Sequence, residues 1–170
     1  MKHTDNIIRV GGAGTGRVFQ WAHLHAYPWL INKARLVGFF DKQPARAQEA
    51  CDKYTHILKE YATAHPESAE QVAANLAELR CHESLDALLD EVDVVDVCTT
   101  TRGRMVTAMR ALEKGVHSML EKPMARTWIE VDRAVRAFAA KPDVYCQLND
   151  DNVFDPKYRV LHDIIRQGAI

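Results

Sequence analysis

Two periodicities alternate along the chain. Short apolar runs, most of them closing on a polar or charged residue, recur at 7–10, 35–40, 79–82, 92–98, 116–120 and 144–148. Runs of that length bounded by glycine, acid or proline read as buried strands. Between them the apolar positions recur every three to four residues, the period of a helix packed on one face. Ala47, Ala50, Cys51, Tyr54, Ile57, Leu58 and Tyr61 form one such stripe; after Pro66, Ala69, Val72, Ala73, Leu76 and Leu79 form another. Met105, Val106, Met109 and Leu112 mark a helix after the fourth strand, and Val131, Ala134, Val135 and Phe138 one after the fifth.

This alternation predicts an α/β fold: a doubly wound parallel sheet of the Rossmann type, in the order 3-2-1-4-5-6 with right-handed crossovers. Two helices stand between the second and third strands where one suffices, so the second is a helical insertion. Ser84 is placed to cap a helix, Thr127 and Glu130 have the spacing of a capping box, and Asp155-Pro156 pairs an N-cap with a first-turn proline.

The chemistry begins after the first strand, at Gly11-Gly12-Ala13-Gly14-Thr15-Gly16. A helix is predicted over about 17–31, with Val18, Trp21, Ala22 and His25 at helical spacing and Pro28 perturbing its end. Strand, glycine turn and helix together place an anion on free backbone N–H groups at a positive dipole end. The register is open. With Gly14 and Gly16 as the first glycines of G-x-G-x-x-G, Phe19 falls at the third; with Gly12 and Gly14, Arg17 does. In either case Gly14, Thr15, Gly16, Arg17 and Val18 are the candidate diphosphate contacts. The same letters suit the turn of a methyltransferase that binds S-adenosylmethionine.

The second strand ends at Asp41, 27 residues after Gly14, against a usual interval of about 20. A carboxylate there can accept both ribose hydroxyls of an adenosine and repels a 2′-phosphate. That favours NAD, while Lys42 beside it leaves NADP possible. The fourth strand runs into Thr99-Thr100-Thr101. Thr99 and Thr100 are candidate cofactor contacts, and capping of the next helix is the equal alternative. The fifth strand leads from Gly115 into Glu121-Lys122-Pro123, an acid and a base at the end of the sheet where ligands bind.

Composition narrows the classes. The 22 basic and 23 acidic residues give a net charge of −1, which argues against a dedicated nucleic-acid binder. The N-terminus has no apolar signal-peptide core and no run reaches transmembrane length, which points to the cytoplasm and away from membranes. The four cysteines show no metal-ligand spacing, so no metal site is expected, and Cys98 and Cys146 read as small core residues.

Together the glycine turn, Asp41, the 92–101 segment and Glu121-Lys122-Pro123 resemble the Gfo/Idh/MocA family of nicotinamide-dependent sugar and polyol oxidoreductases. The most specific piece runs from Ala111-Leu112-Glu113-Lys114-Gly115-Val116-His117 to Glu121-Lys122-Pro123-Met124-Ala125, similar to the family's A-L-x-x-G-K-H-V-x-x-E-K-P-L-A. The resemblance implies that Lys122 is the catalytic residue beside the nicotinamide and the substrate hydroxyl, and that Glu121 and Lys122 contact the cofactor. Three positions depart from the pattern. Thr100 stands at the usual proline, Arg104 at the usual histidine, and Val153 precedes Phe154 where an arginine is common.

The resemblance further implies a second α/β domain. Residues 1–150 would be the NAD(P)-binding domain and 151–170 a connecting helix leading into a substrate domain absent from this chain. The 170-residue chain alone would then be inactive, and the full-length protein a homo-oligomer acting on a small sugar or polyol. Two other readings stay open: a non-catalytic NAD(P)-binding regulator on the same fold, and the methyltransferase, which leaves Glu121-Lys122-Pro123 unused.

Overall fold

The computed structural model describes residues 7–169, the Phe154 side chain excepted; the first six residues and Ile170 of the expected domain spans lie outside it. Six parallel strands form one sheet in the order β3-β2-β1-β4-β5-β6, as the alternation predicts. They are β1 (Ile8–Ala13), β2 (Ala34–Phe40), β3 (Arg80–Cys81), β4 (Val94–Val97), β5 (His117–Glu121) and β6 (Cys146–Asn149). The direction of the strand order reverses at β1, which pairs with β2 on one side and β4 on the other. The strand ends Ala13 and Val97 are register partners, so the crevice between them opens beside the glycine turn.

Helices cover both faces. On one, α1 (Pro44–Ala64) and α2 (Ala69–Glu78) pack Tyr54, Leu58 and Val72 against Leu36 and Phe39 of β2. On the other, α3 (Leu85–Glu91) and α4 (Thr101–Lys114) pack Leu88, Leu89, Ala108 and Ala111 against Val95, Val97 and Leu120. Each fully buried large side chain of these clusters contributes about 1.5–3 kcal/mol over its exposed state. The insertion, α2, is anchored by one polar residue that the apolar stripe does not reveal. Buried Asn75 donates to the Leu36 carbonyl at 2.8 Å and accepts from the Tyr54 hydroxyl at 3.2 Å.

α5 (Trp128–Ala139) and α7 (Pro156–Arg166) begin where their caps predict. Thr127 accepts from the Glu130 N–H and Asp155 from the Lys157 N–H. Between β6 and α7 lies a short helix, α6 (Asp151–Phe154), that the apolar pattern does not mark. The buried face of α4 is rotated from the predicted stripe. Val106 is exposed, while Arg104 and Thr107 are buried with Ala108, Ala111 and Leu112.

The larger correction concerns 17–31. One α-helix is predicted there; the chain instead forms a π turn (Phe19–His23) followed by a 3-10 turn (Tyr27–Leu30). The Leu24 N–H donates to the Phe19 carbonyl at 3.1 Å, five residues back. Pro28 lacks the N–H that would continue the ladder. Besides Pro28, the buried residues are Phe19, Leu24, Tyr27 and Ile31, spaced by five, three and four, whereas Val18 and Trp21 of the predicted stripe face solvent. The extra residue in the turn brings His23 onto the sheet.

Candidate active site

The glycine turn closes by contact with two strands. The Gly14 N–H donates to the Phe40 carbonyl at 2.8 Å. Gly14 has φ +82°, and a Cβ there would lie 2.6 Å from the Thr99 backbone nitrogen. Glycine is required on both counts, conformation and space. Gly16 faces open space: among the described residues nothing comes within 4 Å of where its Cβ would be. Thr15 is fully buried, and its hydroxyl has no hydrogen-bond partner among the described residues. Arg17 and Val18 are exposed on the first helical turn, and Arg17 lines a cavity of about 570 Å³ with Gly16, Gln20, Trp21, Arg46, Glu49 and Lys53.

Asp41 joins this turn to β2. One carboxylate oxygen accepts from the Thr15 N–H and the other from the Gln43 N–H, each at 2.9 Å. Lys42 projects into solvent. At the end of β4, Thr100 takes the N-cap position of α4 with no side-chain capping bond to the described residues, and the Thr99 hydroxyl donates to the Thr100 carbonyl at 3.3 Å. Helix capping therefore does not occupy these hydroxyls.

Glu121 and Lys122 sit at the end of β5, followed by a cis Lys122–Pro123 peptide. One Glu121 oxygen accepts from the Lys122 N–H at 3.2 Å. The Lys122 ammonium is exposed, 3.6 Å from an Asp151 carboxylate oxygen at the start of α6. The other Glu121 oxygen lies 3.4 Å from Nε2 of His23, whose Nδ1 is 2.8 Å from Oδ2 of fully buried Asp96 on β4. The Tyr27 hydroxyl donates to the same Asp96 oxygen at 2.7 Å. Cys98 Sγ lies 3.6 Å from both ring nitrogens of His23. Burial pushes the Tyr27 hydroxyl and the Cys98 thiol far up, with Asp96 adding to both, so both stay protonated. His23, Asp96 and Cys98 are close enough together to suggest metal ligands. Their atoms are already joined to one another by hydrogen bonds.

Arg104 closes the other side. Its guanidinium is buried, donates to the Thr99 carbonyl at 2.9 Å and also reaches the Pro123 carbonyl. It thus ties the loop after β4 to the loop after β5. Burial lowers its pKa, and the Glu121 charge opposes that shift. Its Nε has no partner among the described residues. A larger groove of about 830 Å³ lies elsewhere, between α3, α4 and α5. It contains neither the glycine turn nor a strand end, and the strand-end crevice is where the polar chemistry converges.

Residues 8–149 match the family model described as an oxidoreductase family with an NAD-binding Rossmann fold, GFO_IDH_MocA. The chain belongs to this family. Over 85 residues it is 40% identical to UDP-N-acetylglucosamine 3-dehydrogenase of Acidithiobacillus ferrooxidans, a stretch covering 49% of this chain and 27% of the relative. The solved structure of that enzyme, GnnA, superposes with a TM-score of 0.66 at 26% identity, over 92% of this chain and 42% of that one. The myo-inositol dehydrogenase of Lactobacillus casei, solved with NAD(H) and myo-inositol, gives a TM-score of 0.75 at 21% identity, over 95% and 42% of the two chains. At that identity the likeness is one of fold. The chain thus spans less than half the length of these relatives.

Membership of an oxidoreductase family sets the methyltransferase reading aside. Of the candidate residues, Gly14, Thr15, Gly16, Thr99, Thr100, Asp41, Glu121 and Lys122 gather at the carboxyl end of the sheet, with Arg17, Val18 and Lys42 exposed to solvent. Sequence patterns alone missed His23, Tyr27 and Asp96. A signal for Asp96 existed: a lone acid inside the apolar strand Val94-Val95-Asp96-Val97 must find a donor when buried. No helix among the described residues is long and apolar enough to cross a membrane.

Proposed function

We propose that this chain forms the nicotinamide-cofactor half of a dehydrogenase or reductase acting on a hydroxyl of a sugar or polyol. One observation carries the reading. Open space over Gly16 at the glycine turn, a carboxylate at the end of β2, and a Glu-Lys pair at the end of β5 share the carboxyl end of the sheet. The order matches the parts of a dinucleotide: diphosphate, adenosine ribose and nicotinamide.

The residues fit such a group. The space over Gly16 and the Thr15 hydroxyl, unpartnered among the described residues, suit the diphosphate, and Asp41, which accepts one N–H of the described residues on each oxygen, keeps acceptor capacity for ribose hydroxyls. A carboxylate there favours NAD over NADP. The nicotinamide, when bound, supplies the hydride chemistry. Lys122 is placed to hold the hydroxyl that gives or takes the proton, and Glu121 to contact the cofactor. The names of the relatives, a UDP-sugar dehydrogenase and an inositol dehydrogenase, support a cyclic polyol or sugar substrate. The exposed apolar residues of α7, Val160, Leu161, Ile164 and Ile165, support a second domain packed there, with catalysis and oligomer formation belonging to the whole protein. The free cysteines suit a reducing compartment, the cytoplasm.

The test is ligand titration of the chain followed by NADH fluorescence, with NADPH and S-adenosylmethionine as competitors. Saturable NADH binding, weaker NADPH binding and no effect of S-adenosylmethionine are expected. Tight S-adenosylmethionine binding with none of NADH would overturn the reading.

A further inference from the structure

We propose that His23 is a positioning residue for the cofactor site: protonated, it holds the Glu121 carboxylate in place, and losing its proton releases that carboxylate. The proposal deepens the cofactor-binding reading and rests on it. The geometry is a chain of three groups across two neighbouring strands. Asp96 on β4 and Glu121 on β5 point to the same face of the sheet, the face covered by the π turn. His23 stands between them, Nδ1 at 2.8 Å from Asp96 and Nε2 at 3.4 Å from Glu121.

Each contact asks for a proton on its own ring nitrogen. The Asp96 side is fixed, since Asp96 is wholly buried and already takes the Tyr27 hydroxyl on the same oxygen. A buried carboxylate needs both donors, so a neutral His23 keeps its single proton on Nδ1. Its Nε2 then turns a lone pair toward the Glu121 oxygen, and two acceptors 3.4 Å apart repel. In the imidazolium both contacts are attractive. The second proton of His23 is therefore what attaches Glu121 to the buried strand.

Among the described residues, these groups act on His23. Asp96 and Cys98 come from β4, Glu121 from β5 and the Tyr27 hydroxyl from behind Asp96; Phe19 stacks on the ring at 5.9 Å, and the Arg104 charge acts on Glu121 from α4. The Cys98 thiol and Tyr27 hydroxyl stay protonated and do not compete for the role. Burial lowers the pKa of His23, but the Asp96 hydrogen bond and the Asp96 and Glu121 charges outweigh it, so the net shift is upward from 6.5. The sign follows. The contribution is fully present below the ordinary histidine pKa and is lost as pH rises through the raised folded value.

Two measurements test this on the 170-residue chain. The first is an NMR titration of the His23 ring nitrogens in the wild type and in Glu121→Gln. A midpoint above 6.5 that falls in Glu121→Gln is expected, and an identical midpoint in both would overturn the proposal. The second is the NADH dissociation constant from pH 5.5 to 9 in the wild type and in His23→Gln, whose amide cannot titrate in this range. Affinity in the wild type should drop by about tenfold through the His23 midpoint, the effect of losing one charge-assisted contact. In His23→Gln the step should vanish. The same step in both proteins would overturn the proposal while leaving the cofactor reading intact. Absence of NADH binding at every pH, with His23 still titrating, would instead overturn the cofactor reading and the positioning role with it.

Discussion

The Thr15 N–H donates to Oδ2 of Asp41 at 2.9 Å, joining the glycine turn after β1 to the end of β2. The carboxylate proposed to receive the adenosine ribose therefore also shapes the loop proposed to receive the diphosphate. Affinity and turn geometry are coupled through one side chain.

Asp41→Ala should accordingly act twice. It removes an acceptor from the Thr15 and Gln43 N–H groups, which costs roughly 1–3 kcal/mol of stability because those donors lose charge-assisted bonds. It also weakens NADH binding more than NADPH binding, since the repulsion of a 2′-phosphate disappears. Urea denaturation and paired cofactor titrations measure the two effects. Equal affinity for both cofactors in the unmodified protein would contradict the assignment of Asp41.

Gly14→Val tests the turn itself. The added Cβ would fall 2.6 Å from the Thr99 nitrogen, at a residue with φ +82° where a β-branched side chain is strained. Backbone strain of that kind costs about 1–3 kcal/mol before any steric displacement of Thr99 is counted. The expected result is a lower melting temperature with NADH binding lost. Gly16→Ala is the control, because its Cβ meets none of the described residues. It should fold as the parent does and weaken only the ligand. A Gly16→Ala protein as unstable as Gly14→Val would contradict the geometry of the turn.

The sheet order was legible because buried parallel strands read as apolar runs and each is followed by a helical stripe. That Asp41, Glu121 and Lys122 fall at strand ends was legible because each closes or follows an apolar run. The segment 17–31 was not. Phe19 and Leu24 are five residues apart, a spacing that belongs to neither period, so a helical template selects Val18 and Trp21 instead. Arg104 was misleading in a similar way. Apolar periodicity discounts a buried arginine, and only the carbonyls of Thr99 and Pro123 explain why one lies inside. The His23–Asp96 pair was invisible for a topological reason: 73 residues separate the two in the chain, and strand pairing alone unites them.

Arg104 gives the third prediction. Replacing it with methionine keeps volume and removes the charged donors to the Thr99 and Pro123 carbonyls, from which a total loss of about 1–3 kcal/mol is expected. Arg104→His, the residue usual at this place in the family pattern, offers one donor when neutral and two only as the imidazolium, on a shorter side chain, and should recover only part of that loss. NADH binding should weaken in both, because the loops carrying Thr99 and Lys122 are no longer tied together. Unfolding curves and NADH titrations that match the wild type in Arg104→Met would show that the clamp supports neither the fold nor the site.

Lys122 gives the last. Its ammonium is exposed and 3.6 Å from Asp151, so the side chain can turn toward a substrate at little cost. Holding the hydroxyl is the role that fits such a group, unless a second domain buries it. In a protein extended beyond this chain, Lys122→Ala should lower the rate of hydride transfer by about 10²-fold or more, the low end of a positioned acid–base group, while changing NADH affinity less than tenfold. In the 170-residue chain the same substitution should leave NADH binding close to that of the parent, with no polyol turnover in either. Stopped-flow NADH absorbance with an inositol or a UDP-sugar gives the rate, and fluorescence titration gives the affinity. An unchanged rate in the extended protein removes Lys122 from the reaction. Turnover by the 170-residue chain alone would mean that the strand-end crevice already contains every group the reaction needs.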